Sequence, residues 1–236
     1  MTLENFSSGF DTLLSSYMLP AQVGEEASRT TLALDEYEKS LYLTKSEEEI
    51  VLSLYNGKNS SGEGFESVEE NRRYLANLVE DDTLEPVETS ASGVSTTSKF
   101  FELPEDLWFI TYESVSITGG KCEGSTTLDV YPVTQDEYNK VRRNPFRGAN
   151  DMRALRLDIS DGMVEIVSKY DITSYYLRYL RKPAPIVLID LPDGLTINGE
   201  SSATGCELHE ALHQRILERA VLMAMQSRGM YGNNRE

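Results

Sequence analysis

Residues 169–226 read KYDITSYYLRYLRKPAPIVLIDLPDGLTINGESSATGCELHEALHQRILERAVLMAMQ, and their reading decides the fold. Two β-rich runs, 172–180 and 186–191, are separated by Pro183-Ala184-Pro185, across which no helix continues. The turn-rich crossing 194–205 then leads into what is expected to be the longest amphipathic helix of the chain. Leu208, Leu212, Ile216, Ala220 and Met223 fall at spacings of four, four, four and three, which places them on one helical face.

Upstream of this stretch the hydrophobic period changes twice. Phe6, Phe10, Leu13, Leu14 and Tyr17 recur at helical spacing and predict a short helix stopped near Pro20. A second helix is expected over 31–43, and Thr44-x-x-Glu47, a capping-box pattern, opens a third that stops at Asn56-Gly57. Ser67-x-x-Glu70 opens a fourth, running to Val79. Residues 85–98 carry no periodicity and read as a flexible linker or long loop. Beyond it the pattern becomes β, with strands at 99–103, 107–117 and 126–133 and a hairpin of 155–159 with 164–167 about Asp161-Gly162. A short helix follows Thr134 and ends by Pro145. The fold class is therefore α+β: an N-terminal helical part, a mostly antiparallel β middle and a C-terminal amphipathic helix. The expected regions are 1–84 (acidic, helical), 85–98 (linker) and 99–236 (β-rich, ending in the helix, which can pack with the N-terminal helices as one domain).

The chain has 236 residues, 39 acidic against 22 basic, and a formal charge of −17, a balance that repels free nucleic acid. The charge is uneven. Residues 1–90 hold 19 acidic and 6 basic side chains, while 140–182 hold 10 basic and 5 acidic. No signal peptide or membrane-length apolar run is expected, so no membrane partner is assigned. Cys122 and Cys206 read as free thiols of an intracellular protein.

Two constellations carry chemical alternatives. Both histidines lie in His209-Glu210-x-x-His213, the form of a zinc-peptidase signature, in which two histidines share the metal and the glutamate activates water. Cys206 extends the spacing on the same face. However, Ile216 and Arg219 stand where a longer motif needs glycine and histidine, and helix-start chemistry accounts for Glu207 and Glu210 equally well. A zinc-dependent hydrolase is thus the alternative reading, and the favoured one assigns no catalytic, cofactor or metal residue. The second constellation is the basic window. Its Arg142, Arg143, Arg147, Arg178, Arg181 and Lys182, with Tyr175, are candidates for an interface with a neighbouring subunit or partner. Readout of nucleic acid by these side chains is disfavoured, since strands favour tyrosine on their own account.

The run 176–188, YLRYLRKPAPIVL, resembles head–tail connector proteins of crAss-like bacteriophages. So do Cys206-Glu207-Leu208, the stretch from Leu212-His213 to Val221, and the N-terminal pieces LDEYEKSL (34–41) and IVLSLYNG (50–57). More distantly, the layout is similar to the gatekeeper or adaptor proteins of short-tailed phages, which form rings, commonly of twelve copies. The resemblance implies a structural, non-enzymatic virion protein assembled in the host cytoplasm. It also implies a homo-oligomeric ring, a dodecamer on the adaptor pattern. Its partners would be the portal protein, other tail or ring proteins, and channel DNA without sequence readout. In the looser pattern a proline stands at the start of the last helix, where this sequence has His209, so only His213 is a family position.

Overall fold

The computed structural model describes residues 1–18, 34–58, 62–88, 93–119, 126–160 and 162–228. In chain order its elements are α1 (Leu3–Met18), α2 (Glu36–Tyr55), α3 (Glu69–Tyr74), β1 (Val79–Leu84), β2 (Lys99–Glu102), β3 (Leu107–Thr118), β4 (Thr126–Pro132), α4 (Gln135–Val141), β5 (Arg153–Ser160), β6 (Met163–Val167), β7 (Asp171–Arg181) and α5 (His213–Ser227). They belong to two compact units, one of Met1–Leu78 with Pro183–Glu236 and one of Val79–Lys182. These boundaries differ from those expected at 84 and 99. Residues 79–84 join the sheet by pairing one for one with β7, and the segment after the Pro183 hinge returns to the helices.

In the helical unit, α5 packs on α1 and α2. Its buried face is Ile216, Leu217, Ala220, Val221, Ala224 and Met225, set against Phe6, Phe10 and Leu14 of α1 and Leu43, Ile50, Val51 and Leu54 of α2. Gly9 permits close approach at the α1 contact, since a Cβ there would stand 2.8 Å from Leu217 Cδ2. At 15 residues α5 is shorter than the amphipathic α1, at 16, so it is not the longest amphipathic helix among the described residues. A 3-10 turn, Glu210–Leu212, takes the place of its first expected turn.

The two helices expected around Thr44 are one. Asp35 starts α2 by accepting the Glu38 amide, and the helix stops at Asn56, followed by Gly57 at φ 70°. No glycine or proline interrupts the run between. The capping-box side chains are spent on tertiary bonds instead. Thr44 Oγ1 accepts the Ile186 amide at 3.1 Å, and Glu47 accepts the Cys206 thiol at 3.0 Å. The same hydroxyls explain why 186–191 is not a strand of a sheet. Ser40 Oγ takes the Leu188 amide at 3.0 Å, and Val187 exchanges two 2.9 Å bonds with Thr204. With the Ile186 and Leu188 amides taken by helix hydroxyls and those of Val187 and Leu191 by the backbone at Thr204 and Ser201, the run needs no strand of the sheet. The fourth expected helix is likewise shortened: α3 has Val68 rather than Ser67 as its N-cap, and Val79 already begins β1.

The other unit is a seven-stranded sheet in the order β1-β7-β3-β4-β5-β6-β2. All neighbouring pairs are antiparallel except β4–β5, which is parallel. One core gathers Phe101, Val115, Leu128, Val164, Ile166, Tyr175 and Leu177 from five strands and more. The amphipathic α4 lays Tyr138 and Val141 over Leu155, Leu157 and Val167. The expected linker is tied to this sheet on both flanks: the Val87 amide donates to Phe100 O (2.8 Å), the Val94 amide to Glu165 Oε1 (2.7 Å), and Thr97 Oγ1 to Ser168 O (2.6 Å). Its residues 89–92 lie outside the described ones. Among the described residues no helix is long and apolar enough to cross a membrane.

Candidate functional site

The peptidase-like pentapeptide does not form the helical pair its spacing suggests. His209 stands before the 3-10 turn as its N-cap, exposed, with Nδ1 accepting the Ala211 amide. His213 is buried, and both its nitrogens are engaged: Nδ1 faces the Met1 amine at 2.7 Å and Nε2 the Leu208 carbonyl at 3.1 Å. Burial holds its pKa below the ordinary imidazole value. Among the described residues no three His, Cys, Asp or Glu side chains gather where they could hold a metal ion.

Two carboxyls, Glu47 and Glu113, are drawn into the interior of the two units. In the helical unit the Glu47 carboxyl is fully buried, with Oε1 on the Cys206 thiol and Oε2 without a hydrogen-bond partner. Burial, reinforced by Glu207 and Glu48, pushes its pKa up to about 8. The same burial, with Glu47 beside it, holds the Cys206 thiol far above its ordinary range and keeps it in the thiol form. Cys122 lies outside the described residues. In the sheet unit Glu113 takes two 2.9 Å bonds from Arg156 and one of 2.7 Å from the Tyr175 hydroxyl. Burial raises the Glu113 pKa although Arg156 opposes the shift.

The basic window does not fold into one strip. Two strands, β3 and β4, separate β7 from β5, and α4 packs over β5. Arg142, Arg143 and Arg147 are all exposed at the end of α4 and in the following loop. Arg178 and Arg181 lie along β7 beside acidic β1, with Lys182 just past its end; Arg181 Nε donates to Glu80 at 2.8 Å and Arg178 is the register partner of Asp81. Tyr175 is not a surface residue at all: its ring is 0% exposed in the sheet core, facing inward by strand alternation, and it corrects the interface expectation for this position. Arg156 is consumed by Glu113, and Lys169 pairs with Asp151 at 2.7 Å.

Around Arg142, Arg143 and Arg147 the structure adds residues that the sequence reading missed. Phe146 is 85% and Met152 78% exposed. The loop presenting them is well braced. The Asn144 side chain accepts the Phe146 amide and the Asn150 side chain the Met152 amide, each at 2.9 Å. Arg153 stacks 4.0 Å from the Tyr131 ring centroid and donates to Phe146 O at 3.1 Å. Asp151 is held by Lys169 and the Tyr170 hydroxyl. An aromatic residue within Asn144-Pro145-Phe146-Arg147-Gly148, where neither helix nor strand can use it, was the available signal.

An α+β chain with a braced, exposed, basic and apolar loop offers a surface for contact with other macromolecules. The chain belongs to the phage tail ring protein 3/4 family, which matches residues 1–236. It is similar to Ring protein 3 of Bacteroides phage crAss001, with 43% identity over 239 residues and all of both chains covered. It is also similar to Ring protein 4/5 of that phage, with 32% identity over 95% of this chain and 92% of the relative. The resemblance to crAss-like phage proteins drawn from the quoted segments is thereby met, and the chain is a structural phage ring protein.

Proposed function

We propose that copies of this chain form one homo-oligomeric ring of the head–tail connector, between the portal protein and other tail or ring proteins, around the channel through which DNA passes. The family match over residues 1–236 carries this reading. A formal charge of −17 supports it, because acidic channel walls let DNA slide past without sequence readout. So does the braced loop around Phe146, since a ring needs surfaces that fit different surfaces of the next copy. The adaptor resemblance supports a count of twelve.

A density map of the particle neck with this chain traced tests the proposal. The expected result is a closed ring coaxial with the portal and touching it. A ring lying elsewhere along the tail removes the portal contact, and a chain found outside any ring removes the function.

A further inference from the structure

We propose that the loop carrying Phe146 and Met152, with Arg142, Arg143 and Arg147 around it, docks on the acidic edge strand β1 of a second copy of this chain. The proposal rests on the ring reading and names the contact that closes the ring.

Two observations identify a protein partner. Among the described residues Phe146 and Met152 are the most exposed of the large hydrophobic side chains, and they belong to one loop. Apolar side chains gain nothing against phosphate but are the usual centre of a protein–protein contact, with arginines at its rim. The Asn144 and Asn150 turns and the Arg153 stack fix the loop before binding, so little ordering entropy is lost on docking.

Charge complementarity selects the acceptor. Within the same unit β1 is a terminal strand of the sheet order, with Asp81 and Asp82 exposed along it and Glu80 paired with Arg181. Carboxylates on an edge strand also block indiscriminate strand pairing, which leaves the edge to a side-chain-mediated partner. Donor and acceptor do not coincide. The loop follows α4, which packs over β5, whereas β1 is a different strand, parted from β5 in the sheet order by β7, β3 and β4. Two distinct surfaces on one rigid sheet give a head-to-tail contact, which propagates to a ring, rather than a two-fold dimer.

The test is sedimentation of the full chain over a concentration series at low and physiological salt. Wild type is expected to self-associate, more weakly as salt screens the charges. Phe146→Ser/Met152→Ser should weaken association roughly 30-fold or more with an unchanged melting temperature, since neither side chain supports the fold. Arg142→Glu/Arg143→Glu should also weaken it, and adding Asp81→Arg/Asp82→Arg to the same chain should restore it. A wild type that stays monomeric overturns the proposal while leaving the connector reading to the neck map. Association unaffected by the Phe146 and Met152 changes overturns it too. A charge swap that fails to restore association shows that β1 is not the acceptor, and the proposal falls.

Discussion

Replacing Glu47 by glutamine should make stability less dependent on pH. The wild-type carboxyl has a folded pKa of about 8 against an ordinary 4.5, from burial first and the neighbouring Glu207 and Glu48 charges next. Between these two values the folded chain holds a proton that the unfolded chain has released. Wild-type stability therefore falls as pH rises through that window, by about 1.4 kcal/mol per unit. By pH 7 the loss is on the order of 3 kcal/mol, a large part of the stability of a domain. Glutamine matches the shape, keeps an acceptor for the Cys206 thiol and does not titrate. Chemical denaturation of both proteins at pH 5, 6, 7 and 8 reads the effect. The stability of Glu47→Gln relative to wild type should rise steadily from pH 5 to about pH 8 and then level off. Taking the difference cancels the other carboxylates. A pH-independent difference would mean that Glu47 ionises as in water, and the account of its buried, half-satisfied carboxyl would be wrong.

Other perturbations separate packing from the peptidase-like motif. Leu212→Asp puts a charge into the core of the helical unit and should cost about 4 kcal/mol or more, whereas His209→Ala removes one exposed capping bond worth about 1 kcal/mol; thermal melting ranks them, and a larger loss for His209→Ala would contradict the geometry. Arg156→Ala leaves the Glu113 carboxylate buried without its partner and should cost roughly 3–5 kcal/mol, most of it recovered by adding Glu113→Gln; equal stabilities of the single and double variants would show that the pair is not coupled. Tyr175→Phe removes one bond to that carboxylate and should cost about 1.5–3 kcal/mol while leaving copy-to-copy association unchanged, which sedimentation checks.

Local signals in the sequence were sufficient wherever the local chain decides. The α1 spacing, the Asn56-Gly57 stop, the strands 99–103, 107–117 and 126–133 and the α+β order were legible because hydrophobic period and turn chemistry act over a few residues. The segments resembling crAss-like connector proteins were legible as well, since they lie in contiguous runs matched by the family. Where the sequence misled, a side chain was claimed by a partner far along the chain. Thr44 and Glu47 looked like a helix start, but Ile186 and Cys206, more than a hundred residues away, use them inside one unbroken helix. The β-branched run at 186–191 joins no sheet, because α2 hydroxyls take the Ile186 and Leu188 amides and a single bridge to Thr204 takes that of Val187.

The candidate surface divides in the same way. Sequence alone determined that basic side chains concentrate in 140–182, that Arg142, Arg143 and Arg147 stand near a helix end, and that no long apolar run is present. Only the tertiary structure decided which of these charges remain available. Strand order parts β7 from β5, alternation turns Tyr175 into the core, Glu113 captures Arg156, and two asparagine turns push Phe146 and Met152 outward. Exposure is a property of what packs on what, and a linear charge count carries none of that information.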